Sequence, residues 1–347
     1  MRPDQEIVRR ELGERLFAYL MGRPADMRPD EADPNEAALA RYKLVPRVMA
    51  ARQGIDITLD FCGRRIAAPL GVGAYAADRL FHPDGVLPVA EVCAELGLPL
   101  MISEECLTPI QTITALHSDC WLQIRGAGPL QRAQTLIEAA FEAGVRGILV
   151  SLLAPTHLRP GLYPGGVDIG QEIMDRGFRT IAERAGSHPV EPFPTWGWTD
   201  LKALAAHAAS MGLPVIAKGV LDPDDAVRAF AVGCDGVMVS NMGVRNVGRW
   251  VPAVSQLPAI RAACSKPSQI LLLDGGIRVP PDVVVARVLG AGLTTIVRPV
   301  VLALVEGGIT AVRVLLTGFI NAITSIVSWM GADKLEDLKP GQAVIVG

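Results

Sequence analysis

Aromatic residues are scarce, at 5% of the 347-residue chain, and neither sign of charge dominates: 33 lysines and arginines face 36 aspartates and glutamates, for a net charge of -3. A binder of phosphate backbones needs a cationic stripe, and no basic block exists here, so no nucleic-acid partner is expected. Cys62, Cys93, Cys106, Cys120, Cys234 and Cys264 form no CxxC pair and no Cys/His spacing suited to tetrahedral zinc. They read as reduced thiols, and no metal is expected. The opening MRPDQEIVRRELGERL has no apolar h-region, so no secretory signal is read and the cytoplasm is the expected location. Charge is also missing between Arg313 and Asp333, a length that approaches a membrane span. Gly318, Asn321, Thr324, Ser325 and Ser328 interrupt that stretch, which favours a buried or subunit-facing helix over a span.

What is present is a large apolar fraction, 50% of residues, punctuated by 35 glycines and 26 prolines. A chain of this length and composition buries a sizeable core and fits one domain, residues 1–347. Apolar residues at Ile7, Leu12, Leu16, Phe17 and Leu20 mark a helix over Glu6 to Met21, ended by Gly22, within an N-terminal helical extension of residues 1–65. An irregular, proline-containing link follows it. Eight short apolar runs come next: Ala67 to Gly73, Pro99 to Ser103, Cys120 to Ile124, Gly147 to Leu153, Pro214 to Gly219, Gly236 to Asn241, Gln269 to Gly276 and Thr294 to Pro299. Helix-patterned segments such as Leu130 to Ala143 and Asp222 to Val232 separate them. Eight strands alternating with helices predict an α/β fold, a (β/α)8 barrel of the TIM type. The rival is an open doubly wound sheet, and no GxGxxG follows the first strand to support it. Residues 155–198 after the fourth strand are long enough to be a lid or substrate loop.

Active-site groups of such a barrel stand at the C-terminal ends of the strands. That selects Ala74, Ser103, Gln123, Arg125, Ser151, Lys218, Asn241 to Arg245, Asp274 to Arg278, and Arg298. Lys218 ends an otherwise apolar strand and points into the mouth. Asp274-Gly-Gly-Ile-Arg278 joins two glycines and an arginine just before a helix, and Arg298 ends the eighth strand. Glycine-exposed amides with two guanidinium groups suit a phosphate.

The stretches KGVLDPDDAVRAFAVGCDGVMVSNMGVRN and LLLDGGIRVPPDVVVARVLGAGLTTIVRP resemble the FMN-dependent 2-hydroxy-acid oxidase and dehydrogenase family. The likeness runs over nearly the whole chain. It implies FMN as cofactor, with Ala74, Ser103, Gln123 and Ser151 along the isoalloxazine, Lys218 at its N1/C2 oxygen edge, and Ser240 as a further cofactor contact. It further implies that Asp274 holds the ribityl hydroxyls and that Gly276, Arg278 and Arg298 take the phosphate. Val297 stands where the family has a glycine.

The catalytic half departs from the family. Its SNHGGR motif, which supplies a histidine base and a carboxylate-binding arginine, reads SNMGVR here. Met242 holds the position of the base, and a thioether accepts no proton at useful pH. Leu153 holds that of the aspartate which orients the histidine. Arg125 replaces a substrate-contacting tyrosine, while Tyr19 and Arg245, the family's carboxylate contacts, remain. Substitute bases are sought in His157, with Arg159 beside it, and in Glu104 and Glu105, whose ordinary reading is charge at a helix N-terminus. The expectation is an FMN-dependent oxidoreductase acting on a small carboxylate-bearing molecule with rewired proton removal, suited to specialised metabolism, and assembled as a homo-oligomer. The alternatives are a non-redox FMN-dependent isomerase and a non-catalytic partner subunit with Val314 to Met330 as its contact face.

Overall fold

The computed structural model describes residues 3–24, 26–28, 30–50, 54–152, 163–187, 196–264, 266 and 268–346. Eight parallel strands form a closed barrel: β1 (Leu70–Val72), β2 (Leu100–Ser103), β3 (Cys120–Arg125), β4 (Gly147–Ser151), β5 (Val215–Val220), β6 (Gly236–Val239), β7 (Ile270–Asp274) and β8 (Leu293–Ile296). All eight apolar runs became strands. Strands covered on both faces need apolar residues at successive positions, which is why the runs do not alternate.

The N-terminal extension contains α1 (Gln5–Met21) and α2 (Pro34–Ala40); α3 (Asp78–Phe81) and α4 (Leu87–Leu96) follow β1, and α5 (Ile110–Leu116) follows β2. Next come α6 (Leu130–Glu142) and, in the described part of the long loop, α7 (Ile169–Asp175) and α8 (Ile181–Arg184). The outer ring continues through α9 (Trp198–Ser210), α10 (Pro223–Ala231), α11 (Ala253–Ala263), α12 (Pro280–Val288) and α13 (Arg298–Trp329). Local chemistry sets these ends: Asp222 caps α10 by accepting from the amides of Asp224 and Asp225, with Pro223 in the first turn, and Gly97 closes α4 in the left-handed region.

Three apolar clusters divide the work. The largest lies between the strands and the surrounding helices. A second fills the lower barrel, where Phe61 packs on Trp121 with ring centroids 4.9 Å apart, beside Met101, Leu149, Ile216 and Met238. Phe61 comes from a short hairpin, Leu59–Phe61 with Arg64–Ile66, that gives regular structure where an irregular link is expected from the sequence. The third cluster joins Leu16, Phe17 and Leu20 of α1 to Leu80, Phe81, Ile173, Val301 and Leu302, which seats α1 beside the catalytic mouth.

Helix α13 is long and apolar enough to cross a membrane by length and composition, and its packing gives a different account. It breaks at Gly307 and Gly308, and its Val312, Leu315, Leu316, Phe319, Ile323 and Val327 are buried within the chain. The apolar stripe expected as a contact face is therefore largely spent inside; Val314 and Trp329 remain exposed.

Candidate active site

Strand register brings the polar residues to one mouth. Ser103 lies level with Gln123, Arg125 with Ser151, Ser151 with Lys218, and Asp274 with Thr295. They surround a cavity of about 580 Å³, within the usual size range of small-molecule sites. Ala74, Ser103, Gln123, Ser151 and Lys218 line it, as do Asp274, Gly276, Arg278 and Arg298. Tyr19, Arg125, Met242 and Arg245 complete the set. His157 and Leu153 lie outside the described residues.

At the centre, Lys218 Nζ pairs with Asp274 Oδ2 and donates to Ser240 Oγ at 3.1 Å. Ser240 in turn donates to Asp274 Oδ2 at 2.9 Å, and Thr295 Oγ1 donates to Asp274 Oδ1 at 3.1 Å. Burial opposes the charge on Asp274; Lys218 and the hydrogen bonds more than offset it, so its carboxyl lies below the usual carboxylate range. Ser240, expected as a cofactor contact, is fully buried behind the wall and positions Lys218 and Asp274 instead. Thr295 was not singled out from sequence, although it sits in the run that ends at Arg298.

The cationic end of the cavity is not bare. Arg278 Nε donates to Glu36 Oε1 at 2.8 Å, with Asp33 Oδ2 at 3.6 Å from its Nη2. Arg298 Nη1 lies 3.4 Å from Asp33 Oδ2 and 3.6 Å from Glu36 Oε1. Burial, reinforced by Arg278 and Arg245, pushes Arg298 down to about 10, against the pull of Asp33 and Glu36. Asp33 serves twice, since its Oδ1 also caps α2 through the amides of Asn35 and Glu36. Gly276 has φ +80, and a Cβ there would come within 2.6 Å of Asn35 Cβ. The glycine read as a phosphate contact is thus required first by the approach of α2.

On the opposite side, the motif residues Met242, Gly243 and Val244 all have left-handed φ, at 55°, 66° and 51°. A β-branched valine there is a strained conformer, and such strain gathers at functional sites. Met242 donates its amide to Ser240 Oγ at 3.1 Å. Arg245 donates to the carbonyls of Tyr19 (2.7 Å) and Leu20 (3.5 Å) at the end of α1 and lies 4.6 Å from the Tyr19 ring centroid. Gly22 makes room for it, since a Cβ there would be 2.4 Å from Arg245 Nη1.

Arg125, expected as an additional cation toward substrate, is balanced by an ion pair with Glu105, which also lines the cavity. Glu104 is buried, and Arg132 of α6 reaches it at 2.9 and 3.4 Å. Neither glutamate sits in the first turn of α5, so their expected role as helix-terminal charge gives way to ion pairing.

A parallel barrel with this mouth defines a phosphate-bearing cofactor site of the flavin type. The chain matches the FMN-dependent dehydrogenase family over residues 8–344 and belongs to that family. It is 31% identical to 4-hydroxymandelate oxidase of Amycolatopsis orientalis over 315 residues, covering 87% of this chain and 86% of that protein. It is 26% identical to L-lactate oxidase of Nostoc sp. over 358 residues, covering 96% and 94%. Among solved structures, a mandelate oxidase superimposes with a TM-score of 0.83 at 29% identity, covering 98% of this chain and 97% of that one. A variant of mandelate oxidase with the monooxide FMN adduct gives 0.83 at 29% identity, covering 99% and 100%. The chain is an FMN-dependent oxidoreductase of the α-hydroxy-acid oxidase family.

The residues fit FMN. Arg278 and Arg298 already hold two carboxylates, so their donor geometry suits a phosphate, and Lys218 adds a further cation to the same wall. Ala74, Ser103, Gln123 and Ser151 would flank the ring. FMN, when bound, supplies the two-electron acceptor.

Proposed function

We propose that this enzyme oxidises a small 2-hydroxy acid by a route in which residue 242 takes no proton, and that it serves specialised metabolism. The observation that carries the reading is Met242, a thioether in the cavity wall at the place where the family motif supplies the base. Around it, Arg245 and Tyr19 hold each other against the end of α1, and Lys218 stands ready to stabilise negative charge on the reduced cofactor. Relatives named 4-hydroxymandelate oxidase and L-lactate oxidase support a carboxylate-bearing substrate. A cytoplasmic homo-oligomer is part of the same proposal, supported by six free cysteines and the exposed Trp329.

The test is anaerobic mixing of the yellow holoenzyme with glycolate, lactate and mandelate, followed by flavin absorbance. Loss of a positioned base typically slows such a reaction by about 10²–10⁴, so reduction at least about a hundredfold slower than base-assisted turnover is expected. Rapid bleaching by any of the three would show that a group other than residue 242 has taken the proton, and a flavin that no 2-hydroxy acid reduces would overturn the proposal.

A further inference from the structure

Among the described residues, the cavity wall carries three carboxylates, Glu105, Asp168 and Asp274, and no histidine. Two of the three are committed. Asp274 is held by Lys218, Ser240 and Thr295, and Asp168 caps α7 by accepting from the amide of Gln171 at 3.1 Å. Tyr75 offers no alternative, since burial pushes it well above its ordinary value. Glu105 differs because its partner, Arg125, is a cation that another anion can claim.

The geometry points to Arg125 and Glu105 as a linked receptor and base: a substrate carboxylate takes over the Arg125 guanidinium, and the displaced Glu105 carboxylate removes the proton of the adjacent hydroxyl. This rests on the reading above that the substrate is a 2-hydroxy acid. Arg125 keeps its place during the exchange. Glu104 Oε1 stays 3.8 Å from its Nε, and Arg132 Nη2 donates to its backbone oxygen at 3.2 Å. Among the described residues, the charged groups around Glu105 are Arg125 from β3, Glu104 beside it and Arg132 from α6, while Asp78 of α3 is turned onto the amides of Leu107 and Val86.

An arriving carboxylate on Arg125 adds one negative charge beside Glu105. Loss of its cation beside a new anion raises the proton affinity of Glu105. A glutamate raised to about 6–7 is a competent base near neutral pH. In the step itself, the O–H bond breaks with its proton going to Glu105. The Cα–H bond breaks as the C–O bond becomes a carbonyl, and FMN, when bound, would supply the acceptor for that bond's electron pair. The acid is oxidised by two electrons and the flavin reduced by two; the proton then leaves through the solvent-exposed edge of Glu105.

The experiment uses holoenzyme and benzoylformate, the oxidised counterpart of mandelate, so that binding is read without turnover. Calorimetry in buffers of different ionisation enthalpy, run across mildly acidic pH, should show proton uptake on binding. Glu105→Gln should abolish the uptake without weakening the Kd, and Arg125→Met should weaken the Kd by about tenfold or more, as expected for a lost charge-assisted contact. With mandelate, Glu105→Gln should lower the limiting rate of flavin reduction by about 10²-fold and remove its rise with pH. Uptake that persists in Glu105→Gln, or an unchanged reduction rate, would overturn the inference. If no hydroxy acid reduces the wild-type flavin, the reading of the reaction fails, and the benzoylformate titration still decides whether Arg125 and Glu105 exchange partners.

Discussion

Asn35 and Asn241 form a closed amide pair, each Nδ2 donating to the other's Oδ1 at 2.9 Å across 206 residues of sequence. Both are fully buried. Asn35 Oδ1 also accepts from the Ala253 amide at 3.1 Å, and Asn241 Nδ2 donates to Val251 O at 2.9 Å. The pair pins α2 to the residues following β6, and α2 carries the carboxylates that face Arg278 and Arg298.

Truncating Asn35 leaves buried polar groups of Asn241 and Ala253 without their partner, at about 1–3 kcal/mol for each group stranded. Asn35→Ala should therefore lower the unfolding free energy by about 2–4 kcal/mol once partial relaxation is allowed for. Urea denaturation measures this, and FMN affinity should fall with it as α2 loosens. A wild-type midpoint would show that the pair does not hold α2.

Glu36→Gln bears on the cofactor directly. Two arginines against Asp33 and Glu36 leave the phosphate end near neutral, and the FMN phosphate brings about 1.5–2 negative charges. Removing one partly exposed carboxylate should tighten FMN by about three- to tenfold, in keeping with an exposed pair worth about 1 kcal/mol. Riboflavin, which lacks the phosphate, should bind unchanged. Weaker FMN binding in the variant would show that Glu36 orients the arginines rather than competing for them.

These two positions mark the limit of what the sequence made legible. Strand ends such as Lys218, Asp274 and Arg298 could be selected because barrel geometry puts every strand end at one mouth. Helix α2 was read as link, although Asp33-Pro34 is an N-cap followed by proline at the first turn. The pairing of Arg278 with Glu36 spans 242 residues, and that of Arg125 with Glu105 joins the ends of two strands; neither spacing leaves a periodic trace. Residue type located the cations, and only the fold reveals that each has an anion beside it.

His117 gives a pH dependence. It is buried, and its Nε2–H donates to Leu98 O at 2.9 Å. Burial lowers its pKa from 6.5, with the Leu98 contact and Asp119 acting the other way. A histidine with a lowered folded value is bound by more protons when unfolded, so its stability is present above 6.5 and lost as pH falls toward the folded value. His117→Gln keeps a donor and cannot titrate. Denaturation curves below 6.5 should show a smaller acid loss in the variant than in wild type; parallel losses would place the acid sensitivity elsewhere.

Met242→His separates a rebuilt site from a damaged one. Position 242 has φ 55°, a region that histidine tolerates better than methionine, so the backbone should accept the change and FMN should still bind. An imidazole there still lacks an acidic partner at residue 153, which is leucine, and it faces a wall in which Arg125 and Glu105 already form a charged pair. Mandelate oxidation should therefore rise by less than about tenfold, small beside the 10²–10⁴ of a positioned base. The double change Met242→His and Leu153→Asp supplies that partner and is the stricter trial. If the site were a decayed 2-hydroxy-acid oxidase, restoring both groups beside Tyr19 and Arg245 would return rapid flavin reduction by mandelate. If the wall has been rebuilt around Arg125 and Glu105, the new base meets a substrate anchored for a different proton acceptor, and reduction stays slow; fast turnover by the double variant would reject the rebuilt site.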